Sequence, residues 1–221
     1  MADSPDGYAR RRLNMVDGQL RTFEVTDQAV LAAFNEEPRE LFVEPRLAQV
    51  AYCDSEIAAL GGAGRMLLPP MILARLIQAL VVRPGEKVLD VAGGSGYGAA
   101  ILARLGASVV ALDSDSGAVA AAKAVFGGRP DITHVAGPLA DGYPAKAPYA
   151  AILVHGAFQT MPDKLLAQLG EGGRLVGIDA SEGAGRAVLV ERINGASSRR
   201  VLFGASAPAL DAFRTPAAFA F

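Results

Sequence analysis

Two carboxylates and a glycine cluster carry the chemistry that can be read from this chain. Within residues 87–99, K-V-L-D-V-A-G-G-S-G-Y-G-A, a short apolar run holds Asp90 and breaks at Gly93, Gly94 and Gly96. Ser95 stands inside the cluster, and Ala92 takes the place of a first glycine ahead of it. Glycines at such a corner let backbone N–H groups approach a ligand, because no Cβ is in the way. About twenty residues on, the apolar run 109–112 ends at Asp113 and Ser114, and a carboxylate there accepts both hydroxyls of a ribose. The combination predicts a nucleoside-cofactor pocket at the edge of an α/β sheet. Its candidate binding residues are Asp90, Ala92, Gly93, Gly94, Ser95, Gly96, Asp113 and Ser114.

The run from Gly94 to Ala99 fits the dinucleotide pattern G-x-G-x-x-G/A, which is weak by itself. Asp90 points elsewhere. A carboxylate just before the loop repels a pyrophosphate but suits the cationic amino-acid end of S-adenosylmethionine. A methyltransferase is therefore the reading of these residues, with a dinucleotide enzyme and a pocket without catalysis as its alternatives. No residue presents itself as a general base or nucleophile, so the catalytic residues are unknown at this level. With one cysteine, Cys53, and two histidines, His134 and His155, neither an internal disulfide nor a histidine–cysteine zinc set is expected. Cys53 is read as a small buried residue.

A length of 221 residues and a net charge of −2 suit one α/β unit with no bias toward nucleic acid or anionic lipid. Apolar residues make up 51% of the chain, enough for a packed core. The run 66–82 is interrupted by Pro69, Pro70, Arg75 and Gln78, so it cannot span a bilayer. No targeting segment is visible, and the chain is read as cytoplasmic, with peripheral association to a membrane complex left open.

Several elements must position these residues. Leu13, Val16, Leu20 and Phe23 recur at spacings of three and four, which predicts an amphipathic helix over 8–23 with Arg10, Arg11 and Arg12 on its solvated side. Asp27 caps a second helix that ends before Pro38, short helical turns surround Pro45, and 54–65 reads as a Gly-rich loop. Pro69-Pro70 opens a helix over 72–82. Strands are expected at 87–92, 108–112, 131–135, 150–155 and 174–179, with helices at 97–105, 117–126 and 162–169. A terminal hairpin, 187–194 and 199–204, turns at 195–198, and an apolar tail ends the chain at 217–221. The fold class is α/β: a doubly wound, mostly parallel seven-stranded sheet, Rossmann-like, with an N-terminal helical extension. Residues 1–80 would form that extension and a substrate-side loop, and 81–221 the nucleoside-binding unit, packed as one body.

Several motifs in order resemble the protein-L-isoaspartate O-methyltransferase family of class I methyltransferases. They are Met15-Val16-Asp17-x-Gln19-Leu20, Pro38-Arg39-Glu40-x-Phe42-Val43, Ala51-Tyr52-x-Asp54, Val88-Leu89-Asp90 with Gly94-Ser95-Gly96-Tyr97, Ala147-Pro148-Tyr149, Pro162-x-x-Leu165-x-x-Gln168-Leu169 and Gly172-Gly173-Arg174-Leu175-Val176. The resemblance implies methyl transfer from S-adenosylmethionine to the α-carboxylate of isoaspartyl residues in damaged protein. It also implies a substrate loop, Thr-Ile-Ser-Gln-Pro in the family, where this chain has Met66-Leu67-Leu68-Pro69-Pro70. The loop hydroxyl position is Leu68. The family's Gly-Asp-Gly, whose Asp meets the adenine, is Gly137-Pro138-Leu139 here, and His155 replaces a small residue at the end of the fourth strand.

These substitutions make Leu67, Leu68, Pro69 and His155 the candidate substrate cleft, and they predict weak cofactor binding and poor isoaspartyl turnover. The partner implied is a protein or peptide acceptor. The apolar rim at 67–70 adds the expectation of a stable protein partner. The alternative function is a catalytically degenerate relative serving as an accessory or scaffold subunit of a complex.

Overall fold

The computed structural model describes residues 5–62, 64–126 and 128–215; the apolar tail 217–221 lies outside them. Helix α1 (Pro5–Met15) stops earlier than the periodicity predicts and passes into a π-helical turn, Val16–Leu20, then a 3₁₀ turn, Arg21–Phe23. The wider turn moves the buried stripe onto Met15, Val16 and Leu20, and leaves Leu13 and Phe23 about half exposed at 46% and 50%. The solvated arginine face is also only partial. Arg12 donates to the carbonyl of Asn35 and to the hydroxyl of Tyr52, which fastens α1 to two later segments of the chain.

Helix α2 (Gln28–Glu36) starts as predicted, with the Asp27 carboxylate accepting from the amides of Ala29 and Val30 at 2.8 and 3.2 Å. Two 3₁₀ turns, Arg39–Phe42 and Pro45–Val50, lead to a segment that is not simply a loop. There, strands β1 (Ile57–Ala58) and β2 (Met66–Leu67) pair antiparallel. Helix α3 (Pro70–Leu80) has Pro70 in its first turn and ends two residues short of the prediction, because Val81 turns left-handed at φ 48°.

From there strand and helix alternate: β3 (Lys87–Val91), α4 (Tyr97–Arg104), β4 (Ser108–Asp113), α5 (Ser116–Phe126), β5 (Ile132–Ala136), β6 (Tyr149–Phe158), α6 (Asp163–Leu166), β7 (Leu169–Asp179), β8 (Arg186–Ile193) and β9 (Ala196–Gly204). Their order in the sheet is β5-β4-β3-β6-β7-β8-β9; the first five are parallel, and β8 and β9 add antiparallel. This is the predicted seven-stranded plan. Helix α6 is one turn rather than the eight residues expected, since Leu169 already pairs with Tyr149 in the sheet. The hairpin turns at Asn194-Gly195, both with positive φ, so Ala196–Ser198 belong to β9.

The chain runs from β3 outward to β4 and β5, then returns across β3 to β6. The order therefore reverses between β3 and β6, and the crevice at their carboxyl ends is where ligands bind in such sheets. One core layer joins Met15, Leu20, Phe34, Phe42, Leu67 and Leu68 to α4 and the sheet face carrying Val88 and Val109. A second layer packs Leu89, Leu112, Leu139 and Phe158 on the opposite face. Among the described residues no helix is long and apolar enough to cross a membrane.

Ala92, the residue standing where a glycine is expected, has φ 61°. An L-residue held left-handed carries about 1–2 kcal/mol of steric cost, offset in part by the larger chain entropy of unfolded glycine. Ala92→Gly is expected to stabilise the fold by about 0.5–1 kcal/mol and raise the melting temperature by roughly 1–4 °C. Thermal denaturation followed by circular dichroism checks this.

Candidate functional site

The link from β3 to α4 takes five residues, and Ala92, Gly94 and Gly96 all turn left-handed, at φ 61°, 61° and 91°. The glycines are required by the protein's own atoms. A Cβ on Gly94 would lie 2.9 Å from the Cβ of Ala59, and one on Gly96 would lie 2.7 Å from the Phe126 ring. On Gly93 it would stand 2.4 Å from an Asp90 carboxylate oxygen. Ser95 faces away from the crevice. Its hydroxyl donates to the carbonyl of Phe42 at 2.5 Å, tying the loop to the N-terminal helices.

Asp113 closes β4 beside this loop and is 4% exposed. Its carboxylate accepts from the amides of Gly94 and Asp115 at 3.2 and 2.9 Å. It also accepts from Arg65, whose Nε lies 2.9 and 3.1 Å from the two oxygens, while Nη2 lies 2.9 Å from one of them and donates to Ser114 Oγ at 2.8 Å. Arg65 belongs to the segment read from sequence as a Gly-rich loop. Nothing in local spacing links it to an acid 48 residues further on.

Asp90, buried at 1%, meets His155 across the β3–β6 crevice, with Nε2 2.5 Å from Oδ1; its Oδ2 has no hydrogen-bond partner. His155 is accommodated because residue 98, inside the first turn of α4, is glycine: a Cβ there would come within 2.3 Å of the imidazole Cε1. The cavity enclosed by Asp90, Gly93, Gly94, Gly96, Asp113 and His134 measures about 10 Å³, room for a single water. Beyond Arg65 a cleft of about 650 Å³ opens, lined among others by Ser114, Pro138, Leu139, Asp211 and Arg214. The structure thus brings the glycine loop and Asp113 together, but Arg65 occupies the acid, and the cavity beside it has room for no more than a water as the side chains stand.

The structure places the other sequence candidates differently. Leu67 and Leu68 are core residues, 2% and 1% exposed, and the Leu68 carbonyl accepts from Arg39 Nη2 at 2.9 Å. They do not form an apolar rim, and the expectation of a protein partner there loses its surface. Pro69 caps α3 and is only partly buried. Arg39 is itself fully buried, donates through Nε to Ala51 O at 2.7 Å, and lies 4.9 Å from the centre of the Tyr97 ring. Burial pushes its pKa down. His134 stacks on Phe126 at 5.0 Å, and burial, with Lys123 nearby, lowers its pKa. Cys53 is exposed, contrary to the expectation of burial.

Known proteins share this plan. The sequence model of the family described as Protein-L-isoaspartate(D-aspartate) O-methyltransferase matches residues 11–202. A protein-L-isoaspartate O-methyltransferase of Methanoculleus marisnigri is 40% identical over 173 residues, covering 77% of this chain and 78% of that protein. Protein-L-isoaspartate O-methyltransferase 1 of Rhodopseudomonas palustris is 35% identical over 198 residues, covering 87% and 79%. Among solved structures, a protein-L-isoaspartate O-methyltransferase superposes with a TM-score of 0.78 at 23% identity over 90% of this chain and 65% of that one. A Plasmodium falciparum protein described as such an enzyme, in complex with S-adenosyl-L-homocysteine, gives 0.79 at 17% identity, covering 91% and 98%. The last two similarities concern the fold.

The packing of His155 against Gly98 sets up a sign reversal. Gly→Ala inside a helix ordinarily stabilises by up to about 1 kcal/mol. Here the added methyl collides with the imidazole, and overpacking of this kind costs roughly 1–3 kcal/mol. Gly98→Ala is therefore expected to destabilise the protein in urea denaturation. In a His155→Ala background the same substitution should cost nothing, giving a double-mutant coupling above about 0.5 kcal/mol.

Proposed function

Because the chain belongs to the protein-L-isoaspartate O-methyltransferase family, we propose that it transfers the methyl group of S-adenosylmethionine to a side-chain carboxylate of a protein. The observation that carries this reading is the placing of Asp113. It closes β4 beside the Gly94 amide, at the carboxyl edge of the sheet, next to a cleft of about 650 Å³. Asp113 would hold the ribose, with Ser114 beside it. Ala92, Gly93, Gly94, Ser95 and Gly96, with Asp90 behind them, would shape the methionine end. The cofactor, when bound, supplies an electrophilic methyl group on a sulfonium.

The chain's own task is then modest in chemistry and demanding in geometry. A carboxylate acceptor is already ionised near pH 7, so no general base is required. Rate depends on aligning the acceptor for in-line displacement and on excluding water. Here Leu68, inward-facing, stands where the family offers a hydroxyl, and a hydrogen bond from such a group to a carboxylate contributes about 1.5–3 kcal/mol. Pro138 likewise offers no donor, and its ring cannot take the place of an acceptor for the adenine amino group. Isoaspartyl peptides would therefore be poor acceptors, and another protein carboxylate the preferred one.

A second reading, a degenerate relative acting as an accessory subunit, draws support from the contact between Arg65 and Asp113 and from the cavity of only about 10 Å³ beside it.

Calorimetry with S-adenosylhomocysteine, paired with a methyl-transfer assay, separates the two. Binding is expected, at least tenfold weaker in Asp113→Ala, together with little methylation of an isoaspartyl peptide. Absence of heat at millimolar ligand would favour the accessory reading. Methylation of the peptide at the rate of a relative with the Thr-Ile-Ser-Gln-Pro loop would show that the missing hydroxyl does not matter.

A further inference from the structure

Arg65 and its partner Asp113 border different spaces. Arg65 lines the cleft of about 650 Å³, whereas Asp113 lines a small cavity of about 10 Å³. The Asp113 carboxylate is crowded in this arrangement. One oxygen accepts from Arg65 Nε and the Asp115 amide and has Arg65 Nη2 at 2.9 Å; the other shares the single Nε hydrogen at 3.1 Å and accepts from the Gly94 amide. With an amide on each oxygen and the guanidinium lying against both, a sugar diol has to displace Arg65 to pair with the acid. The aliphatic stem of Arg65 lies directly over the loop: a Cβ on Gly94 would be 3.2 Å from the Cβ of Arg65.

We infer that Arg65 is an internal competitor of the cofactor, a latch whose guanidinium takes the place of the ribose hydroxyls on Asp113 and sets the affinity of the site. The inference rests on the reading of Asp113 as the ribose anchor. Opening requires little of the fold. The Arg65 side chain is 17% exposed, and beyond Asp113 its guanidinium partner among the described residues is Ser114 Oγ, so it can rotate toward the cleft without breaking a hydrogen bond to a core residue. Rotation leaves Asp113 with its two backbone donors, and the diol then replaces what Arg65 gave up. Ligand and guanidinium compete for one acid, and the apparent affinity falls by the fraction of molecules in which the latch is open.

Pairing of an arginine with a carboxylate is a charge-assisted contact, stronger than one between neutral groups, and its release should be visible as a tenfold to hundredfold change in affinity. The test is calorimetric titration of S-adenosylhomocysteine into the wild-type protein, Arg65→Gln and Arg65→Lys, with circular dichroism to establish that each is folded. Arg65→Gln is expected to bind at least tenfold more tightly than wild type. Arg65→Lys keeps a single charged contact, which protects the fold, and should fall between them. Equal affinities within twofold for all three, or tighter binding by wild type, would overturn the latch and leave the methyltransferase reading standing. No binding by any of the three would overturn the assignment of Asp113 as ribose anchor, and the latch with it.

Discussion

A carboxylate taken out of water has to be neutralised, and two of them at adjacent strand ends organise this molecule. Asp90 and Asp113 are 1% and 4% exposed. Leaving either charge uncompensated would cost several kcal/mol, a large part of the stability of a domain this size. The two solutions differ. Asp113 draws a guanidinium from the chain before the sheet and two amides from its own surroundings. Asp90 takes a single imidazole from the facing strand and keeps one oxygen without a partner. Much of the neighbouring sequence serves these pairs. Gly93 and Gly98 lack the Cβ atoms that would strike Asp90 and His155, and Gly94 leaves room for the stem of Arg65. The glycine loop is therefore shaped by these internal contacts as well as by anything it binds.

The N-terminal third is organised by the opposite problem, a buried cation with no carboxylate in hydrogen-bond contact among the described residues. Arg39 donates to the carbonyls of Ala51 and Leu68 and lies against the face of Tyr97, and its Nη1 has no hydrogen-bond partner there. Its pairing with Tyr97, the first residue of α4, places the helical extension in register with the glycine loop. Phe34 and Phe42 pack edge-on to the same ring at 5.9 and 5.3 Å. The Ser95 hydroxyl adds a hydrogen bond across the same boundary. These contacts are satisfied across one continuous apolar layer, so the segment around Leu68 and the glycine loop are parts of one packed surface.

Whether a feature is local decides how legible it is in the sequence. The order of strands and helices in the sheet comes from alternation of short apolar runs and helical spacings and is legible, but some boundaries are not: β7 begins at Leu169 rather than at 174, and α1 ends at Met15 rather than at 23. Asp113 is legible because the length of a βα unit fixes its distance from the glycine cluster. The π-helical turn at Val16–Leu20 is not, since apolar spacings of three and four fit an uninterrupted helix as well. The turn at Asn194-Gly195 carries the usual signal for a two-residue hairpin, but the serines after it read as loop and draw the expected turn too far along the chain. Arg65 is invisible for a deeper reason. A lone cation in a Gly-rich stretch has no period, and only the tertiary pairing of β1 with β2 brings it to Asp113. Gly98 reads as one more residue of a small-residue helix, and its purpose becomes visible only with His155 lying against it.

The latch and the missing loop hydroxyl converge on one short segment. Arg65 precedes β2 and Leu68 comes after it, so four residues carry the group that holds Asp113 and the carbonyl that holds Arg39. The two clamps are unequal. Arg39 is fully buried, and breaking its bond to Leu68 would strand a cation in the core. Arg65 lines the cleft, where water can solvate the guanidinium as it leaves, although Asp113 stays buried and needs a new partner in its place. The segment is therefore anchored firmly at Leu68, whose position is set by the packed core, and less firmly at Arg65, whose guanidinium borders open space. On the proposed reading, acceptor choice would depend on the first and cofactor affinity on the second, so that the same few residues would act on both by separate physical routes.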